Sequence, residues 1–157
     1  MSTTPIRWEA CLLYTSGDCT ESHDISAGTD RILAILPNAY MQGEAAGISM
    51  AGGTRGFEKA IPMNAMGLFG LHMITAGSYE GGSYIESDDA HYKRLITRDN
   101  RLVGFILVGD VARAGIYTHL IRDRIPLDTI DFELMKKKPQ LMAFQAKDRA
   151  KMLGGAK

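Results

Sequence analysis

The chain has 157 residues, of which 45% are hydrophobic, and its 18 lysines and arginines balance 18 aspartates and glutamates. A hydrophobic fraction of this size supports a folded core, and the length suits one domain or one small domain with an appendage. A neutral chain without a basic face is a poor binder of nucleic acid, because phosphate neutralisation supplies most of that affinity. The lysine run at residues 136–138 is typical of a solvated helix end.

The cysteine count and the amino-terminal residues bear on the cellular compartment. Two cysteines, Cys11 and Cys19, are too few for a disulfide framework and are interpreted as reduced thiols. No apolar run reaches membrane-spanning length, and residues 1–8 lack the charged start and apolar block of a signal peptide. We therefore expect a cytoplasmic protein that binds neither membrane nor nucleic acid.

The first predicted elements are a strand and a helix separated by polar sequence. A short apolar run at residues 11–14 predicts a buried strand, which ends in a turn at residues 15–18. Residues 21–30 are polar and predict a loop. A helix is predicted over residues 37–50, because proline is tolerated in the first helical turn. Its many small residues indicate that another backbone or a flat ligand lies close to the helix.

The second half of the chain predicts strands first and helices afterwards. After a polar connector at residues 54–62, a single strand is predicted over residues 68–76 and a turn at residues 80–83. Residues 92–97 and 102–108 predict a hairpin, joined by a turn whose asparagine tolerates the left-handed conformation.

Two aspartates are predicted to begin the helices that follow. Asp110 stands where an N-cap is expected, and a helix is predicted from there to about Arg124. A shorter helix capped by Asp128 follows, and residues 146–157 predict a flexible tail. Strands followed by helices indicate an α+β fold, with helices packed on an antiparallel sheet.

Two segments near the amino terminus combine features that suit a ligand. Gly17 and Asp18 end the first predicted strand, where a carboxylate beside glycine can approach a ligand and accept hydrogen bonds from hydroxyls. The helix that starts at Pro37 presents backbone N–H groups and the positive end of its dipole, which favour an anion or a polarised carbonyl.

These two elements resemble the second FAD-binding stretch of the FAD-dependent pyridine nucleotide-disulfide oxidoreductase family. Residues 62–70 resemble the entry to the C-terminal domain of that family, and residues 102–105 resemble its hairpin. Residues 109–110 and 114–117 resemble the helix that follows, most closely in the rubredoxin reductase and nitrite reductase-like branch. The resemblance covers roughly residues 11–145.

The resemblance implies roles for five residues. Asp18 would be a ligand of FAD and Gly17 its close-approach neighbour, while Asn38 and Ala39, after Pro37, would offer backbone N–H groups to the flavin. The complete enzyme would use FAD and NAD(P)H, and FAD binding by this chain alone would be weak or absent. No residue of the chain is predicted to be catalytic, and no metal site is predicted.

The resemblance also implies a division into parts. Residues 1–55 would be a remnant of the FAD-binding domain (strand, turn and helix), residues 56–145 a C-terminal α+β interface domain, and residues 146–157 the tail. Neither Gly-x-Gly-x-x-Gly dinucleotide fingerprint is present, so the first half of the FAD domain and the NADH domain are predicted to be missing.

The predicted partners are those missing domains or a second subunit, with a small electron-transfer protein as a further candidate. The predicted function is the C-terminal portion of an FAD- and NAD(P)H-dependent oxidoreductase, inactive by itself. The alternative is a non-catalytic interaction or dimerisation module derived from the same family.

Four other polar features have simpler interpretations. The cysteine, glutamate and histidine within residues 19–23 lack a partner pair for a metal site, and residues 88–91 predict a solvated turn. His72 lies in an apolar strand and His119 on an apolar helix face, so both are predicted to be core histidines.

Overall fold

The computed structural model describes residues 19–154, and the chain divides into two compact units, Met1–Ile61 and Pro62–Lys157. The predicted division between residues 55 and 56 lies a few residues earlier, and the roles assigned to the two parts remain predictions. Within the described residues, no helix is both long and apolar enough to cross a membrane.

The first unit contains an antiparallel hairpin, β1 (Glu21–Asp24) and β2 (Thr29–Ile32). The prediction of a loop over residues 21–30 is therefore wrong. The turn is closed by Gly28, which has φ +74° and donates its backbone N–H to the carbonyl of Asp24 at 2.8 Å. Polar composition hides such a hairpin, because its stability comes from the turn and not from an apolar face.

The helix that follows, α1 (Leu36–Met50), confirms the predicted element to within one residue. Ala51 is its C-cap residue, and Gly52 then adopts φ +85°, as expected of the glycine after a helix. The predicted strand at residues 11–14 and the turn after it lie outside the described residues.

The second unit is built on one five-stranded antiparallel sheet, ordered β3-β4-β7-β6-β5. Its central strand β7 pairs with β4 on one side and β6 on the other. Helices follow the strands in the chain, so the predicted α+β fold with an antiparallel sheet is confirmed. The strands are β3 (Met63–Leu68), β4 (Leu71–Gly77), β5 (Gly82–Ser87), β6 (Tyr92–Arg98) and β7 (Arg101–Val108).

One predicted strand is in fact two. The apolar run at residues 68–76 is broken at Phe69 and Gly70, which both have positive φ (50° and 85°) and form the turn between β3 and β4. Phenylalanine is uncommon at positive φ, so the sequence carries little signal for this turn. The predicted hairpin of β6 and β7 is confirmed, with Asp99 and Asn100 at φ 50° and 58° in its turn.

Helix α2 (Ala114–Arg122) packs on one face of this sheet. The rings of Phe105 in β7 and Tyr117 in α2 lie 5.5 Å apart between centroids, and both side chains are fully buried. Their neighbours complete an apolar core between sheet and helices. These neighbours include Ala76, Leu95, Leu107, Leu120 and Ile121.

The start of α2 differs from the prediction. Asp110 was predicted to be its N-cap, but the helix begins at Ala114 after Arg113, which adopts φ +61°. The carboxylate of Asp110 instead accepts a hydrogen bond from the backbone N–H of Ala112 at 3.0 Å. Asp110 therefore caps the turn before the helix, which displaces the helix start by one turn.

Helix α3 (Phe132–Lys137) is capped by Asp131, not by the predicted Asp128. The Asp131 carboxylate accepts a hydrogen bond from the backbone N–H of Leu134 at 2.9 Å, whereas Asp128 lies in a preceding 3-10 turn. A last short helix, α4 (Ala146–Met152), occupies the predicted tail, whose flexibility remains a prediction.

Candidate functional site

The turn between β1 and β2 is organised around a buried carboxylate. Asp24 is fully buried, and its Oδ1 accepts hydrogen bonds from the backbone N–H of Ser26 at 2.9 Å and from the Ser26 hydroxyl at 2.6 Å. Its Oδ2 accepts a charge-assisted hydrogen bond from the guanidinium of Arg31. Because each carboxylate oxygen is engaged, this cluster is structural, and it fixes the chain that leads into α1.

The amino terminus of α1 is uncapped. Ile35, which precedes the helix, offers no side-chain hydrogen bond, and the first turn contains no acidic residue. The side chains of Leu36 and Tyr40 at this end are 82% and 74% exposed. This end therefore combines the positive end of a helix dipole with an exposed apolar surface, a combination that suits a flat ring with polarised carbonyls.

The buried side chains of Asn38 and Gln42 hold this end of the helix through hydrogen bonds. Asn38 is fully buried, and its Nδ2 donates a hydrogen bond to the carbonyl of Ile61 at 3.3 Å. Gln42, one turn later, accepts a 2.6 Å hydrogen bond from the Thr20 hydroxyl. The Asn38 Oδ1 and Gln42 Nε2 atoms are buried without a hydrogen-bond partner among the described residues.

The small residues of α1 leave part of its surface open. Gly43 and Gly47 are exposed, and a Cβ added at either position would meet no atom within 4 Å. A helix surface without side chains allows another backbone to approach closely. Another backbone or a flat ligand could therefore approach α1 closely, as predicted, although no such backbone lies among the described residues.

Sequence comparison finds relatives of the second unit. Residues 62–125 match the family model of the rubredoxin NAD+ reductase C-terminal domain. A curated relative, the NADH-dependent phenylglyoxylate dehydrogenase subunit epsilon of Aromatoleum evansii, is 35% identical over 109 residues. The alignment covers 64% of this chain and 26% of the relative, so the chain spans about a quarter of that protein's length.

Solved structures share the fold. An FAD-dependent pyridine nucleotide-disulphide oxidoreductase from Desulfovibrio vulgaris superposes with a TM-score of 0.61 at 17% identity, over 74% of this chain and 33% of that one. The covalent putidaredoxin reductase–putidaredoxin complex gives a TM-score of 0.64 at 16% identity, over 90% of this chain and 33% of that one.

Residues 62–125 are therefore similar to the C-terminal domain of rubredoxin NAD+ reductase, and the fold is that of FAD-dependent pyridine nucleotide-disulphide oxidoreductases. The resemblance stated from the sequence is thereby confirmed. The oxidoreductase C-terminal domain corresponds to the five-stranded sheet and α2, because the matched residues begin just before β3 and end after α2.

The structure describes three of the five predicted flavin-site residues. Gly17 and Asp18 lie outside the described residues, while Pro37, Asn38 and Ala39 lie in the first turn of α1 as expected. The backbone N–H of Ala39 donates to the carbonyl of Ile35 at 3.0 Å, so it serves the helix itself. The binding roles of all five residues remain predictions.

The structure also shows features that sequence interpretation missed. The burial of Asp24 was not predicted, although an aspartate two residues before a serine and four before a glycine is a pattern typical of side-chain-stabilised turns. The anchoring role of the Asn38 side chain had no local signal, because its acceptor at Ile61 lies 23 positions away.

The prediction of a core histidine is wrong for His72 and only partly right for His119. His72 is exposed near the start of β4, in the part of the strand where the burial of side chains is low. His119 is only partly buried and pairs with Asp123, with 2.5 Å between Nδ1 and Oδ2, one helical turn away. Neither histidine belongs to the first turn of α1, where the flavin-site residues are predicted.

The other polar clusters form no metal site within residues 19–154. Cys19 is exposed, and His23 pairs with Asp30 at 2.7 Å. In the exposed turn after β5, backbone N–H groups of Ala90 and His91 hydrogen-bond the Asp88 carboxylate and lower its pKa. The prediction of a solvated turn there is confirmed.

Proposed function

We propose that this chain forms the C-terminal part of an FAD- and NAD(P)H-dependent oxidoreductase, in which it supplies part of the flavin-site wall and an interface domain. The observation that carries the proposal is the start of α1, an uncapped helix end without acidic residues and flanked by exposed Leu36 and Tyr40. The family of the second unit supports it.

The residues of the first unit fit a flavin in a limited way. The dipole of α1 and the backbone N–H groups of its first turn would face the carbonyl edge of the ring, where they would stabilise negative charge. Asp18, next to Gly17, would accept hydrogen bonds from hydroxyls of the ribityl–pyrophosphate part. The flavin, when bound, supplies the hydride chemistry, and the protein supplies orientation and electrostatics.

The details of the first helical turn refine this proposal. Pro37 has no N–H, and the N–H of Ala39 is engaged with Ile35, so the backbone N–H of Asn38 is the donor we assign to the flavin. The side chain of Asn38 points into the protein and holds the helix end in place. Asn38 is thus proposed as both donor and anchor.

The remaining domains of the enzyme are proposed as the main partners of this chain. The relatives are much longer than this chain, since its matched residues cover only 26% to 33% of them. Other domains or a second subunit would complete the flavin site and bind NAD(P)H, in the cytoplasm. A small electron-transfer protein is a further proposed partner, supported by the solved complex of a fold relative with putidaredoxin.

The test is a chimera in which this chain replaces the homologous segment of the phenylglyoxylate dehydrogenase epsilon subunit. We expect the purified chimera to bind flavin, measured by its visible absorbance per chain, and to reduce a dye with NADH. Asp18→Asn should lower the flavin content, whereas Asp30→Asn, which alters an exposed aspartate, should not. A folded but colourless chimera would contradict the proposal.

A second candidate function is a non-catalytic interaction or dimerisation module. It is favoured by the sheet face that the helices leave exposed in the second unit. A folded, colourless chimera, together with association of the chain by itself, would support this candidate over the first.

A further inference from the structure

A hydrogen bond in the first unit joins the two stretches of chain that are proposed to meet the flavin. The hydroxyl of Thr20 donates to the side-chain oxygen of Gln42 at 2.6 Å. Thr20 follows Asp18 by two residues, and Gln42 lies one turn after Asn38 in α1. Because two residues span at most about 7 Å of extended chain, a Thr20 that is fixed to α1 also restricts the position of Asp18.

Gln42 occupies a position that packing alone does not explain. Its side chain is only 7% exposed, and Asn38, on the same face of the helix, is fully buried. A buried amide is unfavourable unless it is hydrogen-bonded, whereas a leucine of similar size would fill the space without a polar group. The hydrogen bond from Thr20 satisfies the amide oxygen and gives the helix one specific neighbour in place of a general apolar contact.

Hydrogen bonds also connect the far end of β1 to α1. The backbone N–H of Ile25, which follows β1, donates to the carbonyl of Ala60 at 3.1 Å. The carbonyl of the next residue, Ile61, accepts the 3.3 Å hydrogen bond from the Asn38 side chain. The strand is thus joined to the helix at both ends, since Thr20 makes the connection at its start. Two connections fix the direction of the strand as well as its distance from the helix, whereas one would let it pivot.

We infer that Gln42 is a positioning residue of the flavin site, which acts through Thr20 to hold Asp18 at a fixed distance from the start of α1. The inference rests on the proposed function, in which Asp18 would contact the ribityl–pyrophosphate part of FAD and the helix start would face the ring. Two groups that bind distant parts of one ligand bind it most tightly when their separation is set beforehand, because less conformational freedom is then lost on binding.

The test is the dissociation constant of FAD for the apoprotein of the phenylglyoxylate dehydrogenase chimera, measured by the quenching of flavin fluorescence. Thr20→Val removes the hydroxyl and nearly keeps the shape of the side chain. We expect it to raise the dissociation constant by about 3- to 10-fold, as the loss of one hydrogen bond does. Thr20→Ser retains the hydroxyl and should keep the parent value. A bond that served stability alone would lower the urea midpoint and leave the dissociation constant of the folded apoprotein unchanged.

Gln42→Leu removes the other partner of the bond and should raise the dissociation constant by a similar factor. The double variant of Thr20→Val and Gln42→Leu should bind no more weakly than either single variant, because both changes break the same bond. The matched control is Thr29→Val, the same change at an exposed threonine of β2, which should leave the dissociation constant unchanged. Circular dichroism verifies that each variant is folded.

The outcomes for this inference and for the proposed function are distinguishable. A folded parent chimera that binds no FAD would contradict the proposed function and the inference together. A parent chimera that binds FAD, with a Thr20→Val variant of equal affinity, would overturn the inference alone. Hydrogen exchange of the full chain without flavin is the second measurement, and exchange over residues 17–20 should be faster in Thr20→Val than in Thr29→Val. Equal exchange in the two variants would also overturn the inference.

Discussion

The phenolic oxygen of Tyr117 donates a 2.7 Å hydrogen bond to the backbone carbonyl of Met135. Both residues are fully buried, and the bond joins α2 to α3; Met135 lies 18 residues after Tyr117 in the chain. On the same side of the sheet, Lys93 donates to the carbonyls of Lys136 and Lys137 at 3.0 and 2.9 Å. These contacts hold α3 against a domain whose family match ends before it.

Removal of the Tyr117 hydroxyl should destabilise the second unit. Tyr117→Phe keeps the ring against Phe105 but leaves the buried Met135 carbonyl without its donor, which costs about 1–3 kcal/mol. Urea unfolding measures this loss. Tyr84→Phe is the control, because that hydroxyl is exposed and its 3.4 Å contact with Glu86 is weak. Equal midpoints for the two variants would contradict the prediction.

The same tyrosine should make the fold sensitive to alkali. Burial raises the pKa of Tyr117 above its ordinary value of about 10, because the charged phenolate would lose hydration. A raised folded-state pKa means that the folded protein holds this proton more tightly than the unfolded chain. Stability from this group is therefore complete below about pH 10 and falls above it, by up to about 1.4 kcal/mol per pH unit.

The pH dependence is measured as the free energy of unfolding from about pH 8 to 11 in the parent chain and in Tyr117→Phe. The difference between the two should shrink as the pH rises above about 10. A difference that stays constant over this range would show that Tyr117 does not titrate differently in the folded state.

Substitution of alanine for glycine should change stability in opposite directions at two positions. Gly104 in β7 lies opposite Gly77 in β4, and a Cβ on Gly104 would collide with the carbonyl of Ser78. Gly104→Ala should cost about 1–3 kcal/mol or more, because backbone cannot move as a flexible side chain does. Gly43→Ala, in the exposed face of α1, should stabilise by about 0.5–1 kcal/mol. Thermal unfolding of the two variants checks both signs.

Loss of the buried carboxylate should loosen the first unit. Asp24→Ala removes the acceptor for Ser26 and Arg31, and the buried N–H of Ser26 loses its partner, at a cost of about 2–3 kcal/mol. Hydrogen exchange over residues 19–61 reports this unit separately from the sheet. Asp30→Ala, at an exposed ion pair with His23, should change the exchange little.

Local signals in the sequence predicted some elements well. The turn at Asp99 and Asn100 was visible because both residues tolerate positive φ, and α1 was visible because proline lies in its first turn and glycines follow it. The turn at Phe69 and Gly70 was missed, because an apolar run predicts a continuous strand. The cap of α3 was placed too early because Asp128 and Asp131 both precede that helix, and α2 begins later than predicted because Asp110 caps the turn before it.

The sequence by itself determined the α+β class, the β6–β7 hairpin, helix α1 and the family resemblance, because each depends on residues near one another in the chain. The tertiary structure alone decided which face of the sheet the helices cover, that Asp24 is buried, and that Asn38 anchors the start of α1 through Ile61. These features depend on contacts between distant residues, and such contacts leave no periodic or local pattern in a single sequence.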